Sequence, residues 1–273
     1  MQALFTLTPA EAKRLIAKAV VKLPAVQHAY RNGKLAIGNG TTNAFVVEEL
    51  LGITVPKENY TAGVITAGRI CVSEVEKIIK PYLFVRGQRV EANIGEFVQD
   101  FCGGDVFIKG ANAVDPRRNA GILVGSRTGG TIGAVWSVLK SVGATLVIPV
   151  GLEKLVPHVP DGIGIDHFDV TLGMPAGLFT VTGAEVITEI EALATLCNVQ
   201  ATLIASGGTG GSEGSTTFAV SGNREELDRV MELVKSIKGE PPVPRSRRAC
   251  SSCGNPCEFY RKTGDGPGER NGS

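Results

Sequence analysis

The chain is short of several things that would fix its class. Lys and Arg number 28 against 27 Asp and Glu, so no global field recruits nucleic acid or an anionic membrane. No stretch approaches the ~20 continuous apolar residues of a membrane helix, and "MQALFTLTPAEAKRL" lacks the basic and apolar regions of a signal peptide, so the expected location is cytoplasmic. Six cysteines in 273 residues are too sparse for a disulfide scaffold. Aromatic residues are only 5% of the chain, and three histidines offer little: His158 and His167 flank an Asp-rich stretch, and His28 reads as helix surface.

What is abundant is glycine, 35 residues, a profile that suits a sheet with many tight turns. Thr8-Pro9-Ala10-Glu11 reads as a capped helix start. The pattern then predicts strand Lys34–Ile37, a helix from about Asn43 to Leu51, strand Ala62–Ile65, a helix from about Ser73 to Ile79 and strand Tyr82–Val85. A helix from about Asn93 to Phe101, strands Asp105–Lys109 and Gly121–Val124, helix Gly130–Val142 and strand Ala144–Val150 come next. Short apolar strands separated by amphipathic helices imply a mostly parallel, doubly wound α/β sheet over residues 1–175. After Pro175 the order is strand Leu178–Val181, helix Ala184–Cys197, strand Gln200–Ala205, strand Thr216–Val220 and helix Asn223–Lys238. That order predicts a small ferredoxin-like α+β lobe over 176–240. Residues 241–273, rich in Pro, Arg, Ser and Gly, are expected to form a disordered tail. The loop "SGGTGGSEGS" between the last two strands reads as a flexible connection rather than a lid.

Two glycine-broken strand ends are the candidate binding elements. In "GKLAIGNGTTNAF" the turn Gly38-Asn39-Gly40 leads from a strand into a helix and aims free amides and the Thr41 and Thr42 hydroxyls at one spot, suiting a phosphate or carboxylate. The plainer alternative is a tight turn with Thr41 as a helix cap. In "DVFIKGANAVDPRRNAGILVGSRTGGTIG" a buried strand delivers Lys109 and Asn112, with Asp115 beyond. A second loop carrying Arg127, Thr128 and Gly129 then opens another helix. Ligands of open α/β sheets sit outside the carboxyl ends of the strands.

The order of Gly-x-Gly-Thr-Thr after the first strand, Thr66-Ala67, "IKGANAVD", a Gly-Gly helix start and "VIPVGLEKLVPHVP" resembles the ribose-5-phosphate isomerase type A branch of the NagB/RpiA/CoA-transferase-like superfamily, over about residues 12–165. The resemblance implies a Rossmann-like variant with a sugar-phosphate crevice, and it brings Thr66 and Lys154 into the binding set. It also implies what is missing. The first two acidic positions of the isomerase segment fall on Lys109 and Asn112 and only Asp115 is kept. The position of the proton-shuttling Glu falls on or near Val135. Moving a proton between adjacent carbons needs a carboxylate within reach, so isomerase activity by this residue set is excluded.

The expected function is therefore binding of a small phosphorylated or carboxylated metabolite through Gly38, Gly40, Thr41, Thr42, Thr66, Asn112, Arg127, Thr128, Gly129 and Lys154. Were the chain an enzyme, Asp115 and Lys109 would be its catalytic pair. Arg127 could equally be a solvated loop tip. Cys250-x-x-Cys253-x-x-x-Cys257 forms the other constellation, spaced to hold zinc or a face of an iron–sulfur cluster with a fourth ligand from elsewhere, or to act as a redox-sensitive or inert thiol group. Cys71, Cys102 and Cys197 read as small buried hydrophobes. The alternative reading is a non-catalytic ligand sensor, or a metal-binding protein acting through this tail. Nucleic acid is not indicated, no membrane partner is expected, and a homo-oligomer is compatible with the sequence.

Overall fold

The computed structural model describes residues 1–251, 253 and 257. In chain order the elements are β1 (Gln2–Leu7), α1 (Pro9–Val20), α2 (Pro24–Asn32), β2 (Lys34–Ile37), α3 (Thr41–Leu51), β3 (Gly63–Thr66), β4 (Arg69–Val72), β5 (Tyr82–Val85), β6 (Gln88–Val90) and α4 (Ile94–Gln99). Then come β7 (Val106–Ile108), β8 (Ala113–Val114), β9 (Ala120–Val124), α5 (Gly130–Val142), β10 (Thr145–Pro149), β11 (Gly177–Val181), β12 (Glu185–Ile187), α6 (Glu189–Cys197), β13 (Gln200–Gly207), β14 (Ser215–Ser221) and α7 (Arg224–Ile237).

The central sheet has the order β12-β10-β7-β2-β5-β6. Its first four strands run parallel, and β5 and β6 add an antiparallel edge. The parallel strands are continuous apolar runs because both faces are covered: Leu35, Ala36, Ile37, Phe107, Ile108, Val147 and Ile148 are all fully buried. Tyr60 ties the antiparallel edge to the parallel part. Its buried hydroxyl donates to the Ile37 carbonyl at 2.6 Å and accepts the Tyr82 amide at 3.1 Å.

Helix α1 begins as its sequence predicts. The Thr8 hydroxyl accepts the Glu11 amide at 3.3 Å, and the Glu11 carboxylate accepts the Thr8 amide at 2.9 Å. Leu15, Ile16, Ala19 and Val20 then face the core, with α1 packed on α3 and α6. Glu11 has a second use: it accepts the Gly239 amide at 3.0 Å and the Lys238 ammonium at 2.8 Å, which fastens the end of α7 to the start of α1.

Three expectations are corrected, and one strand had not been expected. The helix expected over Ser73–Ile79 is absent: β3 and β4 form a hairpin whose turn residues Ala67 and Gly68 have φ of 49° and 71°, with only a 3-10 turn, Val75–Lys77, after it. Paired positive φ values are what a two-residue hairpin needs. The helix expected from Ala184 starts at Glu189, capped by Thr188, and Glu185–Ile187 is a strand whose Val186 and Ile187 are buried against β10. The first residues form β1, burying Phe5 and Leu7 on one face. Finally, the strands expected to build a self-contained ferredoxin-like lobe are shared out: β11 pairs with β9, β12 joins the central sheet, and β13 and β14 pair with each other and with β1. Each gains a larger apolar face to cover than a lobe alone supplies, and all contribute to one continuous core. The tail expected to be disordered lies mostly outside the described residues. Within them Val243 packs on the core, and the Arg248 amide donates to the Val72 carbonyl at 3.0 Å.

Candidate functional site

All four parallel strands end at one edge of the central sheet, and each of them runs directly into polar residues. β2 leads into Gly38 and the start of α3, β7 into Lys109, β10 into Glu153 and Lys154, and β12 into Thr188 and Glu189. Gly38 is there because nothing larger fits without displacement: a Cβ on it would lie 3.3 Å from the Lys109 side chain and 3.4 Å from both the Ile108 carbonyl and the Phe107 ring. Its amide and that of Gly40 are spent on the carbonyls of Ile108, 2.9 Å, and Tyr60, 2.7 Å. Anion contacts from this turn therefore fall to the first amides of α3, from Thr41 onward, which have no partner within the helix. Thr42 and Asn43 are buried. The Asn43 amide nitrogen donates to the Gly38 carbonyl at 2.7 Å and the Ile108 carbonyl at 3.3 Å, while its carbonyl oxygen is buried with no hydrogen-bond partner among the described residues.

Beside this turn lies a group of five ionisable side chains. The Lys109 ammonium has one hydrogen bond, a 3.3 Å contact to the Gly110 carbonyl, and that of Lys154 has one at 2.9 Å to the Ala111 carbonyl. Neither makes a salt bridge among the described residues. Burial, and then the Lys154 charge, push Lys109 down to about 8. Burial also lowers Lys154, opposed by Glu153, reinforced by Lys13 and opposed again by Glu189.

The two carboxyls divide. Glu153 pairs with Lys13 at 3.0 Å; burial would raise it, but the Lys13 and Lys154 charges hold it below the usual carboxylate range. Its second oxygen is buried without a partner among the described residues. Glu189, fully buried, accepts the Leu152 amide at 2.9 and 3.1 Å. Burial and then the Glu153 charge push it up to about 8, so at neutral pH it is protonated. Glu153 is shared between Lys13 and Lys154, so positive charge outnumbers negative at the ends of the parallel strands, and Lys109 has no carboxylate acting on it among the described residues. A lysine brought down toward neutrality and a carboxyl brought up to it are the pairing that proton-transfer sites use.

The other residues singled out from the sequence hold other partners. Asp115, 3% exposed, accepts the amides of Arg117, Asn119 and Val159 and the Asn119 side chain at 2.9–3.1 Å. Burial would raise it, but these donors hold it below the usual range. Its lone pairs brace a turn. The Asn112 side chain accepts the Leu123 amide at 3.0 Å, steadying β9. Arg127, Thr128 and Gly129 come after β9, which belongs to the separate β11-β9-β8 sheet. There Arg127 is exposed and pairs with Asp166 at 2.7 Å, and Thr128 bonds Ser126 at 2.8 Å. Among the described residues no hydrogen bond or ion pair joins that loop to the Gly38–Thr42 turn. Thr66 ends β3 in the two-stranded hairpin. Val135 is fully buried in the core.

The cysteines also depart from expectation. Cys197 is buried, but Cys102 is exposed and Cys71 is half-buried. Cys71 on β4 faces the same small cavity as Cys250, Cys253 and Cys257. Burial pushes its thiol up, Arg247 opposes, and the Cys250 and Cys257 sulfurs are near enough for their charge to act on it. Among the described residues no three His, Cys, Asp or Glu side chains already stand at metal-holding spacing.

Sequence reasoning missed Asn43, Glu153 and Glu189. The Thr188-x-x-Glu191 capping signature, visible in the sequence, would have placed Glu189 at the first helical position directly after a strand. Among the described residues no helix is long and apolar enough to cross a membrane. No family model and no curated protein matches the chain. Among solved structures, a D-ribose-5-phosphate isomerase in complex with phospho-erythronic acid aligns over 81% of this chain and 84% of that chain, at 16% identity and a TM-score of 0.28. At that TM-score the two backbones do not superpose closely enough for residues to be matched, so the likeness carries no residue role across.

Proposed function

We propose that the chain binds a small phosphorylated or carboxylated metabolite at the carboxyl ends of its parallel strands. Lys109 and Lys154 supply the positive charge, and the first turn of α3, from Thr41 and Thr42 onward, supplies amides and hydroxyls. The reading rests on one observation: two half-buried ammonium groups at the ends of the parallel strands, Lys109 and Lys154, each holding one backbone carbonyl and no salt bridge among the described residues. Desolvated positive charge of this kind is costly unless an anion completes it. Aldose–ketose isomerisation by the residues used in the isomerase branch is not part of this reading, because the Val135 side chain has no proton to move.

The test is a thermal-shift screen of the full chain against inorganic phosphate, ribose 5-phosphate, nucleotides, acyl-CoAs and citrate. A ligand at ~100 times its dissociation constant adds ~2.7 kcal/mol of stability. A shift that disappears in both Lys109→Met and Lys154→Met supports the site. A ligand that shifts both variants as much as the parent binds elsewhere and refutes it.

A further inference from the structure

Four of the six cysteines meet at a place far from the lysine site in both sequence and sheet. Cys71 lies on β4, a short strand with β3 on one side. Its other side is met by Gly173 and Met174, the Met174 amide donating to the Ile70 carbonyl at 2.9 Å. The C-terminal segment then docks at the end of the same strand. The Arg248 amide donates to the Val72 carbonyl at 3.0 Å, and the Arg248 guanidinium reaches Glu76 at 3.2 Å. That docking carries Cys250, Cys253 and Cys257 to Cys71. The four cysteines line a cavity of about 20 Å³, whose walls, among the described residues, also carry Arg69, Arg247 and Arg248 and hold no carboxylate and no imidazole. Arg247, also in its wall, donates to the Cys250 sulfur at 3.1 Å.

We propose that Cys71, Cys250, Cys253 and Cys257 form a tetrathiolate site for a single Zn²⁺ ion, with Cys71 as the ligand that the body supplies to the tail. An all-sulfur set with no open position suits a structural zinc ion, held tetrahedrally at Zn–S of about 2.3 Å. The cavity is on the scale of one water molecule, which suits a single ion. Four thiolates on a divalent cation leave a double negative charge, and the arginine on Cys250 stands where that charge is felt. The thiols surround the cavity without yet standing at ligand spacing, so capture of the ion turns the side chains inward. Binding and the closing of the four thiols on the ion then go together, as they do wherever a metal site is completed only on loading. Loaded, the ion clamps the C-terminal segment to the β3–β4 hairpin.

The test uses the full chain, purified in reducing buffer without chelator, incubated with Zn²⁺ and freed of excess by gel filtration. About one equivalent of zinc per chain is expected. Loss of an outer-shell partner alone typically weakens a metal site ~10–100-fold, so Cys71→Ser should weaken Zn²⁺, measured by competition with a chromophoric chelator, by at least roughly tenfold. Cys102→Ser should leave it unchanged. Alkylation mapped by mass spectrometry needs no variant: Zn²⁺ should protect Cys71 together with Cys250, Cys253 and Cys257 while Cys102 stays reactive. A chain that retains no zinc overturns the proposal, as does zinc that leaves Cys71 as reactive as before, or a Cys71–Cys250 disulfide formed in place of the bound ion.

Discussion

Replacing Lys109 with Met should make the protein more stable while removing its affinity for an anion. The ammonium is held at about 8 against an ordinary 10.5, chiefly by burial. The depression corresponds to at most about 3 kcal/mol of destabilisation when the group is charged in both states. Lys109 is half-buried rather than sealed, so solvent screening brings the expected gain to roughly 1–3 kcal/mol. Met keeps the length of the side chain and its apolar stem. At roughly 2–4 °C per kcal/mol for a chain near this size, Tm at pH 7 should rise by about 2–12 °C. The pH dependence gives a sharper sign. Between pH 8 and 10.5 the unfolded chain binds the Lys109 proton and the folded chain does not, so the parent should gain stability across that window as pH rises. The variant should lack this gain. Urea unfolding of both proteins at pH 7 and pH 10, alongside phosphate titrations at pH 7, reads both effects. A variant that is less stable than the parent at pH 7, with an unchanged pH profile, would refute the claim that Lys109 is an uncompensated desolvated charge.

Glu189 carries the opposite sign: its folded value is about 8 against 4.5 unfolded, so it makes stability fall as pH rises from about 4.5 to 8. Glu189→Gln should flatten the urea midpoint across that interval. Tyr60→Phe leaves the Ile37 carbonyl and Tyr82 amide unpaired in the core and should cost about 2–4 kcal/mol in denaturant unfolding, because each buried orphan costs ~1–3 kcal/mol. Asp115→Asn turns a donor toward the Val159 amide or the Asn119 side chain and should cost roughly 2–3 kcal/mol, while phosphate affinity stays within twofold of the parent. Because its donors lower Asp115 below 3.8, its stabilisation is present above that value and fades as acid protonates it; the variant's acid profile should lack that loss.

Much of the central sheet was legible because its strands are buried on both faces. The runs at 34–37, 106–108 and 145–149 have no polar alternation to confuse them, and helices such as α1 carry their caps in plain sequence. β12 escaped because Glu-Val-Ile directly precedes a helix and shares its apolar character; only Thr188 marks the border. β1 and the destination of β11 were not legible, since partners far apart along the chain leave no local trace. The lysine site was half visible. Gly38 and Lys109 stand out at strand ends, and Lys154 came with the family resemblance. What makes the site a site, the raised Glu189 and the spent Glu153, depends on burial and on neighbours brought together from α1 and from the residues after β10 and β12. The loop with Thr128 and Arg127 read like a second wall of the same crevice, yet β9 turned into another sheet and took that loop with it. Cys71 read as an ordinary apolar position because its companions arrive from the far end of the chain.

The pairing of β1 with β14, and the clasp of Glu11 on residues 238 and 239, have a consequence for biosynthesis. Gln2–Leu7 is made long before its partner strand and must wait for it. Until Ser215–Ser221 has been made, Gln2–Leu7 is a strand without its neighbour, with Phe5 and Leu7 bare to water or to a chaperone. Nascent chains stalled before that point should be the sticky ones, and synthesis past it should release them.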